Sequence, residues 1–448
     1  MTVRNFRVRA FSASTPEESM SYIVAGIDVH KKVLMVAVAD AGQMDPEFDC
    51  RGFGTTASEL KHLIAWLQER GVAEVVMEST AQYWKPVWLA LEPHCKPNLA
   101  QAQSNRARKG RKTDFKDAQR LVRRLIAGEL ILSFVPEAEQ RSMRTITRRR
   151  VQLVRDRIRL HSQLECLLEE ARIKLSSVIS DLLGATGRRI LTEIAGGESD
   201  PEKLAARGDQ RLKCTPEQLR DALTASPEPV PRQLLGMYLE QVAFLDGQIE
   251  KVSLLAAETM LQYQDAITRL SAVPGIRVIS AQQIIAEVGA TAASFPTARQ
   301  FSSWVGASPG RQESAGENES SRCPKGNRYL RRVLYNAAQA AVKTKNSSFQ
   351  TLLYRLLPRL GYKKTIWAVA RHLTLVIWKI LHDNVQYEER GEASTPQANK
   401  RRALRLLQEL RKLGYAVDFT PALNPSLADD FRRSGRPSIR YCLENRCT

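Results

Sequence analysis

YIVAGIDV at 22–29, VLMVAVAD at 33–40 and AEVVMEST at 73–80 decide the fold. Each carries a short apolar run with at least two Val, bounded by polar residues, which reads as a buried strand. A shorter run near Phe48 to Phe53 adds a third consecutive strand before the first helix. From Thr56 to Arg70, Leu60, Leu63, Ile64 and Leu67 recur at helical spacing and the pattern stops at Gly71. After the strand at 73–80, Trp84, Val87, Trp88 and Leu91 mark a second helix. The order is therefore β-β-β-α-β-α, and a short strand around Asn98 to Ala102 and a helix from about Asp114 to Ala127 complete an α/β layer.

That order predicts an RNase H-like α/β domain over about 22–135, preceded by an N-terminal extension at 1–21. Beyond Pro136, Val151, Val154, Ile158, Leu164, Leu168, Leu175 and Ile179 form one long helical stripe. A heptad pattern follows, with Leu235, Val242, Ile249 and Ala256 at one position and Tyr238, Leu245, Val252 and Thr259 at the other. These predict an antiparallel helical arm or a dimerising coiled coil over 136–265, with an inserted loop or subdomain at about 184–232. LSAVPGIRVISAQQIIAEVG from Leu270 reads as two helices about a Pro-Gly-Ile turn, either a helix-hairpin-helix or an ordinary helical hairpin. A Gly- and Ser-rich loop at 306–327 and helices at about 328–342 and 364–381 make 266–387 a mostly α C-terminal domain. Residues 388–448 form an extension with one basic helix near Gln397 to Leu413.

Lys and Arg number 67 against 48 Asp and Glu, a formal charge of +19, which attracts a polyanion. The excess is clustered. Nine of the residues from Arg106 to Arg124 are basic, and eight Arg stand between Arg141 and Arg159. Clusters that dense repel themselves unless phosphates neutralise them, which selects Arg106, Arg108, Lys109, Arg111, Lys112, Arg148, Arg149, Arg150, Lys325, Arg328, Arg331 and Arg332 as nucleic-acid contacts. No run approaches the roughly 18 to 20 apolar residues of a membrane span. Residues 1–20 have no signal-peptide pattern, and seven cysteines lie scattered without a CxxC pair, so a cytoplasmic, reduced protein is expected.

Asp28 and Glu78 each end an apolar strand, where α/β sheets place their ligands. Asp114 and Asp117 stand one turn apart at a helix start. Read singly, the last two are helix caps and Glu78 a satisfied strand end. Read together amid nine basic residues, four converging carboxylates demand a cation, and hard oxygen donors favour Mg²⁺ or Mn²⁺ in phosphoryl transfer.

The chain resembles the DEDD-type insertion-sequence transposases related to the Piv DNA invertase. The resemblance rests on GIDVHKK from Gly26, MESTAQYW from Met77, KTDFKDAQRL from Lys112, VPGI from Val273, FSSWVGASPGRQESAG from Phe301 and KGNRYLRRVLYNAA from Lys325. It implies a RuvC-like N-terminal domain whose four acids bind metal, a serine nucleophile in the C-terminal domain, an oligomer working through a four-way junction, and a structured RNA that bridges target and donor DNA. The matching Pro-x-x-x-Glu-Ser-x-Gly run makes that serine Ser314, with Ser320 and Ser321 close by. A junction resolvase would use the same acids without the serine, and a non-catalytic binding protein would need neither. An actin-like ATPase is excluded, because GIDVHKK offers no glycine-rich phosphate loop.

Overall fold

The computed structural model describes residues 22–43, 45–78, 81–102, 105, 114–225, 227–310, 312–314, 317–320, 323–389, 404, 407–408 and 410–414, with backbone alone at 114, 312–314 and 317–320. Strands β1 (Ile23–Val29), β2 (Val33–Asp40), β3 (Asp49–Gly54), β4 (Glu74–Glu78) and β5 (Lys96–Ala100) form one sheet in the order β3-β2-β1-β4-β5. The first three pair antiparallel, whereas β4 and β5 run parallel to β1. This mixed α/β topology is consistent with an RNase H-like fold.

Alternation along β1 sorts its side chains between two layers. Ala25, Ile27 and Val29 pack with Leu63, Trp66, Leu67, Val87, Trp88 and Leu91 of α1 (Ala57–Glu69) and α2 (Trp84–Leu91). Val24, Gly26 and Asp28 face the other way, toward α3 (Asp114–Ile126), where Val24 meets Val122 and Val76 meets Leu121. Gly26 makes this approach possible: a Cβ there would stand 2.4 Å from the Ala118 carbonyl oxygen and 2.9 Å from Val122 Cγ2.

The rest of the described residues are mostly helical. α4 (Ala138–Glu170) and α9 (Pro229–Thr259) lie antiparallel, since Arg150 Nε donates to Ser253 Oγ at 2.8 Å and Arg157 Nε to Asp246 Oδ1 at 2.5 Å. The stripe read as one helix to Ile179 is interrupted: Ala171 caps α4, Arg172 takes a positive φ of 61°, and Leu175 belongs to the short α5 (Leu175–Val178). The stripe continues because both pieces feed one core.

Between them, 184–232 folds as α6 (Ala185–Ala195), α7 (Pro201–Ala205) and α8 (Pro216–Ala222). Ile190, Leu191, Ile194, Leu204 and Leu219 from these helices share that core with Leu164 and Leu168 of α4 and with Leu235 and Val242 of α9. Helices of five and seven residues are too short to show periodicity, although their caps are written in the sequence. Asp200 and Thr215 each accept from a backbone N–H and each precedes a proline, and Thr215 closes a capping box with Gln218.

A third core gathers α10 (Gln264–Ser271), α11 (Val278–Val288), α12 (Ala298–Val305), α13 (Arg328–Ala341) and α14 (Ser348–His382). α14 begins earlier than the helix read at 364–381, and it breaks at Gly361, where φ is 70°. The 306–327 segment contains a two-stranded hairpin, β6 (Gln312–Ser314) paired antiparallel with β7 (Glu317–Ser320). No helix among the described residues is long and apolar enough to cross a membrane.

Candidate functional site

Asp28 and Glu78 stand on the α3 face of the sheet, two positions beyond Gly26 and Val76 respectively. The register aligns Ile27 with Met77, so the two carboxylates occupy the next positions on adjacent parallel strands. α3 runs opposite to β1. Gln119 Nε2 donates to Cys50 Sγ at 3.4 Å, and the Arg123 guanidinium sits 5.0 Å from the Phe48 ring centroid, so the helix descends the sheet as its residue numbers rise. Its N-terminus, with Asp114 and Asp117, therefore lies toward the strand ends that carry Asp28 and Glu78. Antiparallel packing thus brings one end of a helix to the ends of two strands.

Polar neighbours hold three of these acids. His30 Nε2 lies 3.1 Å from Asp28 Oδ2. Asn105 is buried, donates through Nδ2 to Glu78 Oε2 at 2.9 Å, and accepts at Oδ1 from Arg120 Nε at 3.3 Å. Arg120 in turn donates through Nη1 to Asp117 Oδ1 at 2.6 Å. The chain Glu78–Asn105–Arg120–Asp117 links the strand acid to the helix acid, and its guanidinium supplies positive charge where the carboxylates would otherwise repel. The Asp114 side chain lies outside the described residues, and among those described no three His, Cys, Asp or Glu side chains form a metal-ligand group. The donor types and their placement at one edge fit a hard cation.

Sequence spacing could not select Asn105, and Arg120 was one basic residue among nine. Only the return of the chain beside β4 shows what they do.

The basic residues divide into two kinds. Arg141 donates to both Glu92 carboxylate oxygens, at 2.9 and 2.6 Å, joining α4 to the end of α2. Arg148 donates to both oxygens of Glu287, at 2.7 and 2.8 Å, and stacks 4.6 Å from the Tyr329 ring centroid. Glu287 is only 2% exposed and also accepts from Asn327 Nδ2 at 2.8 Å. Arg150 is held by Ser253, whereas Arg149, Lys325 and Arg328 are exposed. The partners of Arg141, Arg148 and Arg150 are far away in sequence, so these members of the cluster read as a phosphate surface are struts within the fold. Arg106, Arg108, Lys109, Arg111 and Lys112 lie outside the described residues.

Ser314 is in β6, with backbone register opposite Glu317, and Ser320 is in β7 opposite Gln312. Their side chains, and Ser321 altogether, lie outside the described residues. What is fixed is the base of the hairpin. A Cβ at Gly326 would fall 1.9 Å from the Val305 carbonyl oxygen, so only glycine permits this crossing. Arg331 clamps it by donating through Nη1 to the carbonyls of Gly306 and Pro324, with its guanidinium 4.1 Å from the Trp367 ring centroid.

Residues 25–173, which include all four acids, match a DEDD transposase family model of the IS110 group. Residues 267–354, which include Ser314, match the model described as the transposase IS116/IS110/IS902 family. A relative from Pseudomonas aeruginosa, described as a probable family 20 transposase, is 26% identical over 288 residues, 62% of this chain and 75% of that protein. The chain therefore carries the two transposase domains of the IS110 family, one built on the acid-bearing sheet and the other on the helices around the serine hairpin.

Proposed function

We propose that this transposase cuts and rejoins DNA strands at the ends of its element and at a target, with Asp28, Glu78, Asp114 and Asp117 holding Mg²⁺ or Mn²⁺ and Ser314 as the nucleophile. The observation that carries the reading is the placement of Asp28 and Glu78 on adjacent parallel strand ends beneath the N-terminus of the helix bearing the other two acids. A divalent cation there supplies charge for the phosphoryl oxygens and activates an oxygen nucleophile. The protein's own part is to aim the donors: Asn105 fixes Glu78, and Arg120 fixes Asp117.

In the cutting step Ser314 Oγ bonds to phosphorus as the bond to one deoxyribose oxygen breaks, the serine proton departs, and the leaving oxygen is protonated. A hydroxyl from another DNA strand then attacks the phosphoserine and releases the serine. The energy of the phosphodiester is kept in the link, so no nucleotide cofactor is needed.

A RuvC-like character for the first domain, and a structured guide RNA that supplies target recognition, are supported by the family resemblance. A homo-oligomer is supported by α9, which buries Leu235, Val242 and Ala256 while exposing Val230, Leu234, Met237, Phe244 and Leu255 at heptad spacing on another face. A coiled coil between copies would cover that face.

The test is to incubate the full chain and its co-purified RNA with DNA carrying the flanks of its gene, with Mg²⁺ or with a chelator. Recombinant joints are expected only with Mg²⁺ and RNA. Nicked products without joints would instead make the protein a hydrolytic nuclease.

A further inference from the structure

A cavity of about 400 Å³ opens between α13 and the second half of α14, lined by Arg331, Arg332, Tyr335, Lys363 and Trp367. That volume lies within the roughly 300–1,000 Å³ of small-ligand pockets. Its lining combines two guanidinium groups, an ammonium group and two aromatic rings, with no carboxylate. Tyr335 and Trp367 are half-buried, their ring centroids 5.8 Å apart and their planes inclined by 38°. Arg331 is spent on the Trp367 face and on the Gly306 and Pro324 carbonyls. Arg332 and Lys363 have no hydrogen-bond or ion-pair partner among the described residues, and both line the cavity.

We propose that this cavity takes a single unpaired nucleotide of a bound strand, its base against the Tyr335–Trp367 surface and its phosphates on Arg332 and Lys363. A duplex presents phosphates but keeps its base faces stacked, so a site for paired backbone has no use for aromatic rings lining a cavity. An unstacked base offers the π-face that aromatic and guanidinium planes recognise, and its flanking phosphates offer the charge. Arg331 places the cavity beside the base of the Ser314 hairpin, because the same side chain holds both of the hairpin's approaches. The proposal rests on the nucleic-acid reading above and adds to it a defined receptor for one extrahelical residue.

The test uses the full chain in a chelating buffer, where no strand can be cut. The probes are a short DNA duplex with one unpaired 2-aminopurine nucleotide and the same duplex fully paired. The wild type is expected to bind the bulged duplex about tenfold more tightly, the scale of one base-stacking contact, and to change the 2-aminopurine emission on binding. Tyr335→Leu is expected to abolish both the preference and the emission change while keeping affinity for the paired duplex. Lys363→Glu, at an exposed position that does not threaten the fold, is expected to lower the preference as well. Equal affinity for the two duplexes, or a preference that survives both substitutions, would overturn the site. Strand exchange without bulge preference would leave the recombinase reading standing, whereas bulge preference without strand exchange would leave only the cavity.

Discussion

Asp28→Asn, Glu78→Gln and Asp117→Asn are each expected to lower strand exchange by about a thousandfold or more, the scale of several kcal/mol of metal-dependent transition-state stabilisation. Each substitution removes a charge and keeps the size. Gln at 78 can still accept from Asn105 Nδ2, so the buried amide of Asn105 keeps its partner. Asn at 117 gives up the ion pair with Arg120, whose side chains are 24% and 21% exposed. Such a partly exposed pair contributes on the order of 1 kcal/mol, too little to unfold a chain of this size. Recombination assays and thermal unfolding on the same preparations separate the two effects. Normal recombination by Glu78→Gln would remove the metal site from the account.

The largest effect on stability is expected at Glu287, which the sequence offers only as one acid in an apolar helix. At 2% exposure its carboxylate accepts from Arg148 and Asn327, and Arg144 Nε lies 3.5 Å away. Burial pushes the Arg144 guanidinium down to about 10, opposed by Glu287. Burial pulls Arg148 the same way, but its hydrogen bonds and attraction to Glu287 prevail and hold it above the usual arginine value. Glu287→Gln would leave two guanidinium groups half-enclosed without a counter-charge, and breaking a buried pair in this way costs about 3–5 kcal/mol. Arg149→Ala, at an exposed position on α4 beside Arg148, should change stability by less than about 0.5 kcal/mol. Denaturant unfolding of the two variants beside the wild type checks the contrast. Equal midpoints for Glu287→Gln and wild type would show that the node holds nothing together.

That node also shows where sequence reading stops. Strands β1, β2 and β4 were legible because a buried strand is a local pattern of β-branched residues, and the strand-end placement of Asp28 and Glu78 was legible with them. The Arg-rich half of α4 was legible as charge but not as structure. Its partners Glu92, Asp246 and Glu287 come from the C-cap of α2 and from α9 and α11, and no local window contains them. Asn105 was hidden for the same reason, as its role depends on which strand end lies beside it. The helices at 201–205 and 216–222 were missed through their brevity. The hairpin was read as a loop because its two strands have three and four residues and a polar sequence.

The account joins an acidic edge in one domain to a serine in another, and the covalent intermediate tests that union most directly. The wild-type chain, its RNA, Mg²⁺ and end-labelled DNA carrying the element's flanks would be quenched in denaturant and resolved by size, beside Ser314→Ala and Ser320→Ala. The account predicts a labelled protein–DNA adduct for the wild type and for Ser320→Ala, and none for Ser314→Ala or when a chelator replaces Mg²⁺. An adduct that persists in Ser314→Ala would contradict it.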